Sequence, residues 1–183
     1  MMNALTLQSN RRTLLITAPW CLLVLFVMLL LSLPLNAQTC KQGNPSSTPL
    51  NRFQFHKNGT ISDKRSGLIW MRCSLGQTWN GNSCQGPLSK LTWLQAAEKA
   101  ANSTFANRKW RLASVSELSG IIELRCENPA INLVLFPNTP ASHYWTATTF
   151  VNQSSSHWLV QFRYGENHTD KDSAMAFVRL VSD

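Results

Sequence analysis

Alternating hydrophobic and polar residues predict β-structure at residues 52–63. The segment "RFQFHKNGTISD" alternates on both sides of Asn58-Gly59, a dipeptide that favours tight hairpin turns. A turn at Ser66-Gly67 leads into "GLIWMRC", a short apolar run typical of a buried strand. Three further strand-like runs, "HYWTATTF", "HWLVQF" and "AMAFVRLV", close the chain. The pattern predicts antiparallel sheet before and after a central region.

The central region has helical spacing in two places. Thr92 and Gln95 have the spacing of a capping box, and Ser114 and Glu117 repeat it. Apolar residues then recur at helical intervals: Trp93, Ala96, Ala97 and Ala100 after the first cap, and Leu118, Ile121 and Ile122 after the second. Strands, then two helices, then strands predict an α+β domain with antiparallel sheet.

Three segments without periodicity are predicted as loops. Residues 76–89 are rich in Gly, Asn and Ser, and residues 127–140 carry three prolines. Residues 163–173, "RYGENHTDKDS", separate the last two strand-like runs. Because loops held by a rigid scaffold often carry binding residues, the segment 163–173 is the main candidate for a ligand surface. The alternative is a solvated hairpin tip with no binding role.

The first 37 residues have the features of an export signal. Arg11 and Arg12 precede a long apolar stretch, and no charged residue follows until Lys41. The small residue Ala37 favours cleavage after position 37. If it stayed uncut, the apolar stretch is long enough to anchor the chain in a membrane. We predict a periplasmic or secreted protein, with an uncleaved inner-membrane anchor as the alternative.

The remaining chain is predicted to be an extended lead-in at 38–52 followed by one domain at 53–183. The full chain has a formal net charge of +8, which falls to +6 because Arg11 and Arg12 leave with the signal. Such an excess favours polyanionic partners, among them acidic or sulfated polysaccharides. No dense block of Lys and Arg is present, which argues against nucleic acid as the partner. Contact with a membrane is expected only through an uncleaved signal.

The cysteines of the exported chain are expected to form disulfides. Their number is even, which in an oxidising compartment favours disulfides, with three possible pairings among Cys40, Cys73, Cys84 and Cys126. Zinc sites usually pair cysteines across two to four residues, whereas ten separate Cys73 from Cys84. We expect Cys73–Cys84 to close the loop 76–89 at its base, and Cys40–Cys126 follows only as the remaining pair. No metal and no cofactor is expected.

Five motifs in order carry a family resemblance. "GTISDKRSGLIWMRCSLGQTW", "WLQAAEKAA", "WRLASVSEL", "PAINLVLFPNTPASHYWTATT" and "FVRLV" follow one another along the chain. In this register the chain resembles the Lcl C-terminal domain family, named for a bacterial collagen-like adhesin, over about 53–181. The structural positions within these motifs are Gly67, Trp70, Trp110, Arg111, Glu117, Pro137 and Trp145.

The resemblance implies a fold similar to C-type lectins, with two helices, a twisted antiparallel sheet and long loops that present a ligand surface. It also implies an extracytoplasmic binding module in place of an enzyme. The founding adhesin's domain is reported to trimerise and to bind sulfated polysaccharides. A homotrimer and a sulfated glycan are therefore expectations for this chain.

Ligand-binding candidates combine hydrogen-bond donors, an aromatic ring and positive charge. Five lie on the segment 163–173, and the sixth is Trp79 in the loop 76–89. Trp79 is expected either to be the most exposed tryptophan or to pack under the Cys73–Cys84 disulfide. The five are Arg163, Tyr164, Asn167, His168 and Lys171. The other tryptophans of the exported chain lie among apolar neighbours and are expected in the core: Trp70, Trp93, Trp110, Trp145 and Trp158.

For the other polar residues, structural roles are favoured over metal-binding or catalytic ones. Arg111 beside Glu117 is expected to form a structural ion pair in preference to a sulfate clamp. Asp170 and Asp172 lack the glycine and distal Glu of a helix–loop–helix calcium site, so calcium is not expected. No histidine falls in a zinc-protease motif, and no serine in a nucleophile elbow. His143 and His157, before two of the strands, are expected at the surface.

The sequence therefore predicts a non-catalytic module that binds an acidic or sulfated carbohydrate or a cell-surface partner. Two alternatives stay open. One is an oxidoreductase of the formylglycine-generating type, which uses a copper-binding thiol pair on a related fold. The other is a structural subunit of an envelope assembly, with the apolar segment "INLVLF" as a protein interface.

Overall fold

The computed structural model describes residues 37–183. The predicted signal, residues 1–37, lies outside this part of the chain except for its last residue. The described residues form two α-helices and twelve short strands, which is the α+β class predicted from the sequence. None of the helices within 37–183 has the length and apolarity to cross a bilayer.

The largest sheet has five strands in the order β2-β3-β4-β12-β7, with every neighbouring pair antiparallel. These strands are β2 Phe53–Phe55, β3 Thr60–Asp63, β4 Ile69–Met71, β7 Arg111–Leu112 and β12 Leu180–Ser182. The β2–β3 hairpin turns at Asn58-Gly59, as predicted, and Gly59 has a φ of +85°.

The strand predicted at 174–181 is wrong over most of its length, because only its last residues pair continuously, as part of β12. Before that, Ala176 forms a single bridge with Leu91 and Phe177 forms one with Tyr144. The two bridges lead to different parts of the fold, so no continuous ladder forms.

A second sheet has three antiparallel strands in the order β11-β10-β9. They are β9 His143–Thr149, β10 Ser156–Gln161 and β11 Glu166–Lys171. The prediction of a loop at 163–173 is wrong for residues 166–171, which form strand β11. All six of its residues pair with β10, yet its sequence "ENHTDK" contains no apolar residue and its side chains are largely exposed. Hydrophobic alternation therefore gives no signal for this edge strand.

The two helices are α1, Trp93–Ala101, and α2, Val115–Ser119, and both predicted capping boxes are present. In the second, the Glu117 backbone N–H donates to Ser114 Oγ at 3.2 Å and the Ser114 backbone N–H donates to Glu117 Oε2 at 2.7 Å. Helix α2 ends earlier than predicted, because Gly120 closes it with hydrogen bonds to the carbonyls of Ser116 and Glu117. Ile121 and Ile122 are still buried, in the turn that follows.

Two disulfides join Cys40 to Cys126 and Cys73 to Cys84, the pairs expected from the sequence. Each involves a two-stranded ribbon. The first ribbon pairs β1, Thr39–Cys40, with β8, Cys126–Glu127. The second pairs β5, Thr78–Trp79, with β6, Cys84–Gln85. The loop predicted at 76–89 therefore contains a β-ribbon, and its disulfide adds roughly 3 kcal/mol in the loop-entropy account. Disulfides of this kind are typical of periplasmic or extracellular proteins.

The buried side chains form two clusters, one around Trp70 and Tyr144 and one around Trp110 and Trp145. The second cluster contains Ala96 and Ala100 of α1. The prediction that five tryptophans lie in the core is only partly correct. Trp93 and Trp158 are half-buried, since the Trp93 ring stacks on His157 and the Trp158 ring lies edge-on to Phe150.

The Arg179 side chain is fully buried and has no carboxylate partner among the described residues. Its Nη1 donates to the carbonyl oxygens of Met71 at 2.9 Å and Arg72 at 2.5 Å. Its Nη2 donates to Thr139 Oγ1 at 2.7 Å and Ser74 Oγ at 3.2 Å. Burial lowers the pKa of the guanidinium. The surrounding oxygens and the π-face of the Phe136 ring, 4.6 Å from the guanidinium carbon, take the place of water.

The segment predicted as a lead-in, 38–52, lies against the domain. Ser46, Ser47 and Thr48 surround the carboxylate of Glu123, whose side chain is 1% exposed. The Ser46 and Thr48 hydroxyls and the backbone N–H groups of Ser47 and Thr48 donate to it. Burial raises the pKa of Glu123, but these hydrogen bonds outweigh it and hold the pKa at about 2. The carboxylate therefore fixes the N-terminal segment in place.

We expect Arg179→Met to lower the free energy of unfolding by about 3 kcal/mol, because it leaves buried oxygens without donors. Arg163→Met, at an exposed position, is the control and should stay within about 0.5 kcal/mol of the parent. Urea unfolding followed by far-UV circular dichroism measures both variants. Equal stability of the two would contradict the role of Arg179.

We expect Glu123→Gln to remove stability on the order of 3 kcal/mol at neutral pH. The folded pKa lies below the ordinary value of 4.5, so the ionised carboxylate stabilises the fold above that value. This contribution is lost as the pH falls toward 2. The difference between parent and variant should therefore shrink below about pH 4.5, measured by denaturant titration at several pH values. Glu98→Gln, on the exposed side of α1, serves as the control, and a pH-independent difference would refute the assignment.

Candidate functional site

The structure divides the residues predicted at 163–173 between two faces of a sheet. Arg163 and Tyr164 lie at the turn, with the Arg163 guanidinium carbon 5.3 Å from the centre of the Tyr164 ring. Asn167 and His168 are neighbours on strand β11, so their side chains point to opposite faces. Asn167 Oδ1 accepts a hydrogen bond from Ser119 Oγ at 2.9 Å. These residues do not converge on one cavity.

The charge of this strand also does not suit a polyanion. Between 163 and 172 the basic residues Arg163 and Lys171 are outnumbered by Glu166, Asp170 and Asp172. His168 Nε2 lies 3.4 Å from Glu166 Oε2. Its ring lies edge-on to His143, and burial, reinforced by His168, lowers the pKa of His143. An anionic ligand would meet like charge along this edge.

The expectation that His157 lies at the surface is wrong. Its ring is buried and stacks on Trp93 with 3.7 Å between the ring centres. Its Nδ1 lies 2.6 Å from Asp172 Oδ1, and Nε2 lies 3.3 Å from Thr149 Oγ1. The Asp172 carboxylate is therefore engaged by His157. Within residues 37–183, no group of three or more His, Cys, Asp or Glu side chains is placed to hold a metal ion.

Arg111 is held by two carboxylates, as a structural ion pair requires. Its Nη1 donates to Glu117 Oε2 at 2.9 Å and its Nη2 donates to Asp183 Oδ1 at 2.6 Å. Hydrogen bonds to Glu117 and then to Asp183 raise the pKa of Arg111. The guanidinium therefore ties strand β7 to the capping box of α2 and to the end of β12.

Two adjoining cavities instead surround the turn of the β2–β3 hairpin, with Asn58 in the wall of both. We call the first, of about 540 Å³, the basic basin; its lining includes Phe55, His56, Lys57, Asn58, Ala106 and Arg108. The second, of about 430 Å³, is the apolar cleft, and its lining includes Met71, Cys73, Leu75, Gln77, Trp79 and Phe105. Among the described residues, no acidic side chain lines either cavity.

The Arg72 side chain lies behind the two cavities and contacts an aromatic ring from the lining of each. Its guanidinium carbon lies 4.1 Å from the centre of the Trp79 ring and 5.0 Å from that of the Phe55 ring. Its Nε donates to the Leu135 carbonyl at 2.9 Å, and its Nη2 donates to the Val134 carbonyl at 2.7 Å. Burial lowers the pKa of Arg72. The cation is thus used to position two aromatic rings.

Trp79 is fixed from two further sides. The Cys73–Cys84 disulfide closes the ribbon that carries it, and Asn138 Nδ2 donates to the Cys84 carbonyl at 2.6 Å, just after the half-buried Pro137. Gly59 lies so close that a Cβ there would sit 2.5 Å from Trp79 Cβ. Of the six ligand candidates, Trp79 is the one that lines this surface.

The sequence did not reveal the basin, because Lys57 and Arg108 are about fifty residues apart. One local signal was available for each. "HK" stands directly before the Asn58-Gly59 turn, and "RK" follows a polar segment after α1. The apolar segment "INLVLF", suggested as an interface, turns Ile131, Leu135 and Phe136 into the core.

We expect Gly59→Ala to displace Trp79, and Gly67→Ala provides a matched control. Both glycines have positive φ, +85° and +77°, so both variants pay the left-handed cost of about 1 kcal/mol. A Cβ at Gly67 meets no atom within 4 Å, whereas one at Gly59 overlaps Trp79. Gly59→Ala should cost about 1–3 kcal/mol more and change the near-UV circular dichroism of the tryptophans. Indistinguishable variants would show that the contact is unimportant.

The ribbon and almost all of the apolar cleft fall inside a region shared with other proteins, whereas strand β2 and the basin residues 55–58 lie just before it. Comparison with curated protein sequences finds no match. The sequence model of the family described as "Lcl C-terminal domain" matches residues 59–182. The match begins at the turn glycine Gly59 and includes both helices and the Cys73–Cys84 disulfide. Because it covers well over half of the 183 residues, the chain belongs to the Lcl C-terminal domain family.

Proposed function

We propose that this protein is an exported, non-catalytic module that binds acidic or sulfated carbohydrate through the basic basin and the apolar cleft. Its scaffold would be that of a C-type-lectin-like domain. The observation that carries the proposal is the basin, which is lined by Lys57, His56 and Arg108 and by no acidic residue of the described chain. The family's link to a bacterial collagen-like adhesin supports a role in surface recognition.

Lys57 and Arg108 are exposed, and neither forms a salt bridge within residues 37–183. Several other arginines are neutralised by carboxylates, as Arg52 is by Asp63 and Arg111 is by Glu117. The unpaired charges therefore create a local positive potential at the hairpin turn. Carboxylate and sulfate groups are the ligands that such a potential attracts.

Aromatic side chains border the same surface. Phe55 is 45% exposed and Phe105 is 42% exposed, so each offers a ring face or edge to a ligand. A sugar ring presents an apolar C–H face that packs on such rings while its hydroxyls stay in water. Rings beside unpaired cations favour an acidic sugar over a simple anion.

The cysteines support a binding role over formylglycine-type chemistry. All four cysteines of the described chain are paired in disulfides, and that chemistry needs free thiolates. The disulfide Cys73–Cys84 holds the ribbon that carries Trp79 at the wall of the apolar cleft. This arrangement is that of a rigid recognition surface.

The double variant Lys57→Gln/Arg108→Gln tests the proposal, with Arg163→Gln/Lys171→Gln as the matched control. Both remove two exposed cations, but the control removes them from the turn and strand predicted from the sequence. We expect the basin variant to bind heparin at least tenfold more weakly, about 1.4 kcal/mol, and to lose part of the salt dependence. The control should bind like the parent. Isothermal titration at two salt concentrations measures the heparin affinity of both variants. Weaker binding by the control variant than by the basin variant would show that the basin is not the site.

A further inference from the structure

The apolar cleft differs from the basic basin because no charged side chain of residues 37–183 lines it. Met71, Leu75 and Phe105 supply apolar surface, and Cys73 adds the sulfur of a disulfide. The volume of about 430 Å³ lies in the range of small-molecule sites. A methionine in the wall can also adapt to apolar groups of different shape. Apolar surface left uncovered in such a concave site favours an apolar ligand group.

The wall of the cleft, as the described residues form it, offers a ligand few hydrogen-bonding groups. Asn58 Oδ1 accepts from the Thr60 backbone N–H at 3.1 Å and from Thr60 Oγ1 at 2.8 Å. Thr78 Oγ1 donates to the Gln85 carbonyl at 3.4 Å, and Gln77 Oε1 is screened from solvent. A sugar ring or a peptide buried here would lose hydrogen bonds to water that the wall does not replace. A fatty chain has no polar group along its length and meets no such cost.

The two cavities meet at two segments of the chain. At the hairpin turn Asn58 lines both, directly after Lys57 of the basin. After α1, Phe105 lines the cleft and Arg108 lines the basin. A ligand whose apolar part fills the cleft therefore has its other end beside Lys57 and Arg108, which are exposed and form no salt bridge within residues 37–183. Charge complementarity favours an acidic group at that end.

We propose that the ligand of this surface is an acidic glycolipid, whose acidic sugar occupies the basic basin while one fatty chain occupies the apolar cleft. The acid lies beside Lys57 and Arg108, and the methylene groups pack against Met71, Leu75 and Phe105. This inference rests on the proposed function, because the acidic sugar is the part that the basin holds. It adds a fatty chain to that ligand, which a free polysaccharide does not carry.

Alkyl glucuronides separate the contribution of the chain from that of the acid. We expect the affinity of the exported protein for butyl, hexyl, octyl and decyl glucuronide to rise about twofold to fourfold for each methylene that enters the cleft. The rise should stop once the cleft is full. Octyl glucoside, which has the same chain and no carboxylate, should bind at least about fivefold more weakly than octyl glucuronide. Isothermal titration below the micelle concentration of each ligand measures these affinities.

Phe105→Ser removes part of the apolar wall, and Tyr164→Ser is its matched control because the two rings are similarly exposed, 42% and 50%. Phe105→Ser should reduce the gain in affinity from butyl to decyl glucuronide at least about threefold. Tyr164→Ser should leave that gain unchanged. Lys57→Gln/Arg108→Gln should weaken all four glucuronides by a similar factor, because it acts on the acidic sugar and not on the chain.

The outcomes distinguish the two proposals. If affinity does not rise with chain length while heparin still binds through Lys57 and Arg108, the glycolipid inference is overturned and the proposed function stands. A rise that Phe105→Ser leaves unchanged places the chain outside the cleft and also overturns the inference. So does an acidic, leucine-containing peptide that binds more tightly than decyl glucuronide and depends on Phe105, because the cleft would then recognise a protein. If neither heparin nor any glucuronide binds, both proposals fall.

Discussion

The burial of the Arg179 guanidinium is the interaction on which the rest of the structure depends. A cation inside a protein must be surrounded by oxygen atoms that replace its hydration. Here those oxygens come from two parts of the chain, namely residues 71–74 at and after the end of β4 and the loop at Thr139. One side chain therefore fixes where these two segments meet the segment before β12.

A second arginine transmits this order to the surface. The Arg179 guanidinium donates to the backbone carbonyl of Arg72, and the Arg72 side chain lies against the Phe55 and Trp79 rings. The two cations perform different tasks. The inner one organises the core, and the outer one sets the rings that border the cavities. The walls of the two cavities are therefore tied to the core.

Local rules predicted the parts of the fold that are decided locally. The Asn58-Gly59 hairpin and both capping boxes depend on a few neighbouring residues, and the structure has them. Strand β11 was not predicted because an edge strand exposed on both faces has no hydrophobic alternation. The burial of Arg179 in the segment "FVRLV" was not predicted, because charged residues usually lie at the surface. The basic basin was not predicted because its residues come from the hairpin and from the segment after α1, which only the tertiary fold brings together.

The Cys40–Cys126 bridge has a mechanical consequence. If residues 39 and 183 are pulled apart, the tension passes from Cys40 directly to Cys126 through a covalent bond. Residues 41–125 then form a side loop that carries no load along its backbone. Every residue that lines the basic basin and the apolar cleft lies inside that loop. A force applied between residues 39 and 183 is therefore not transmitted along the backbone that lines the cavities.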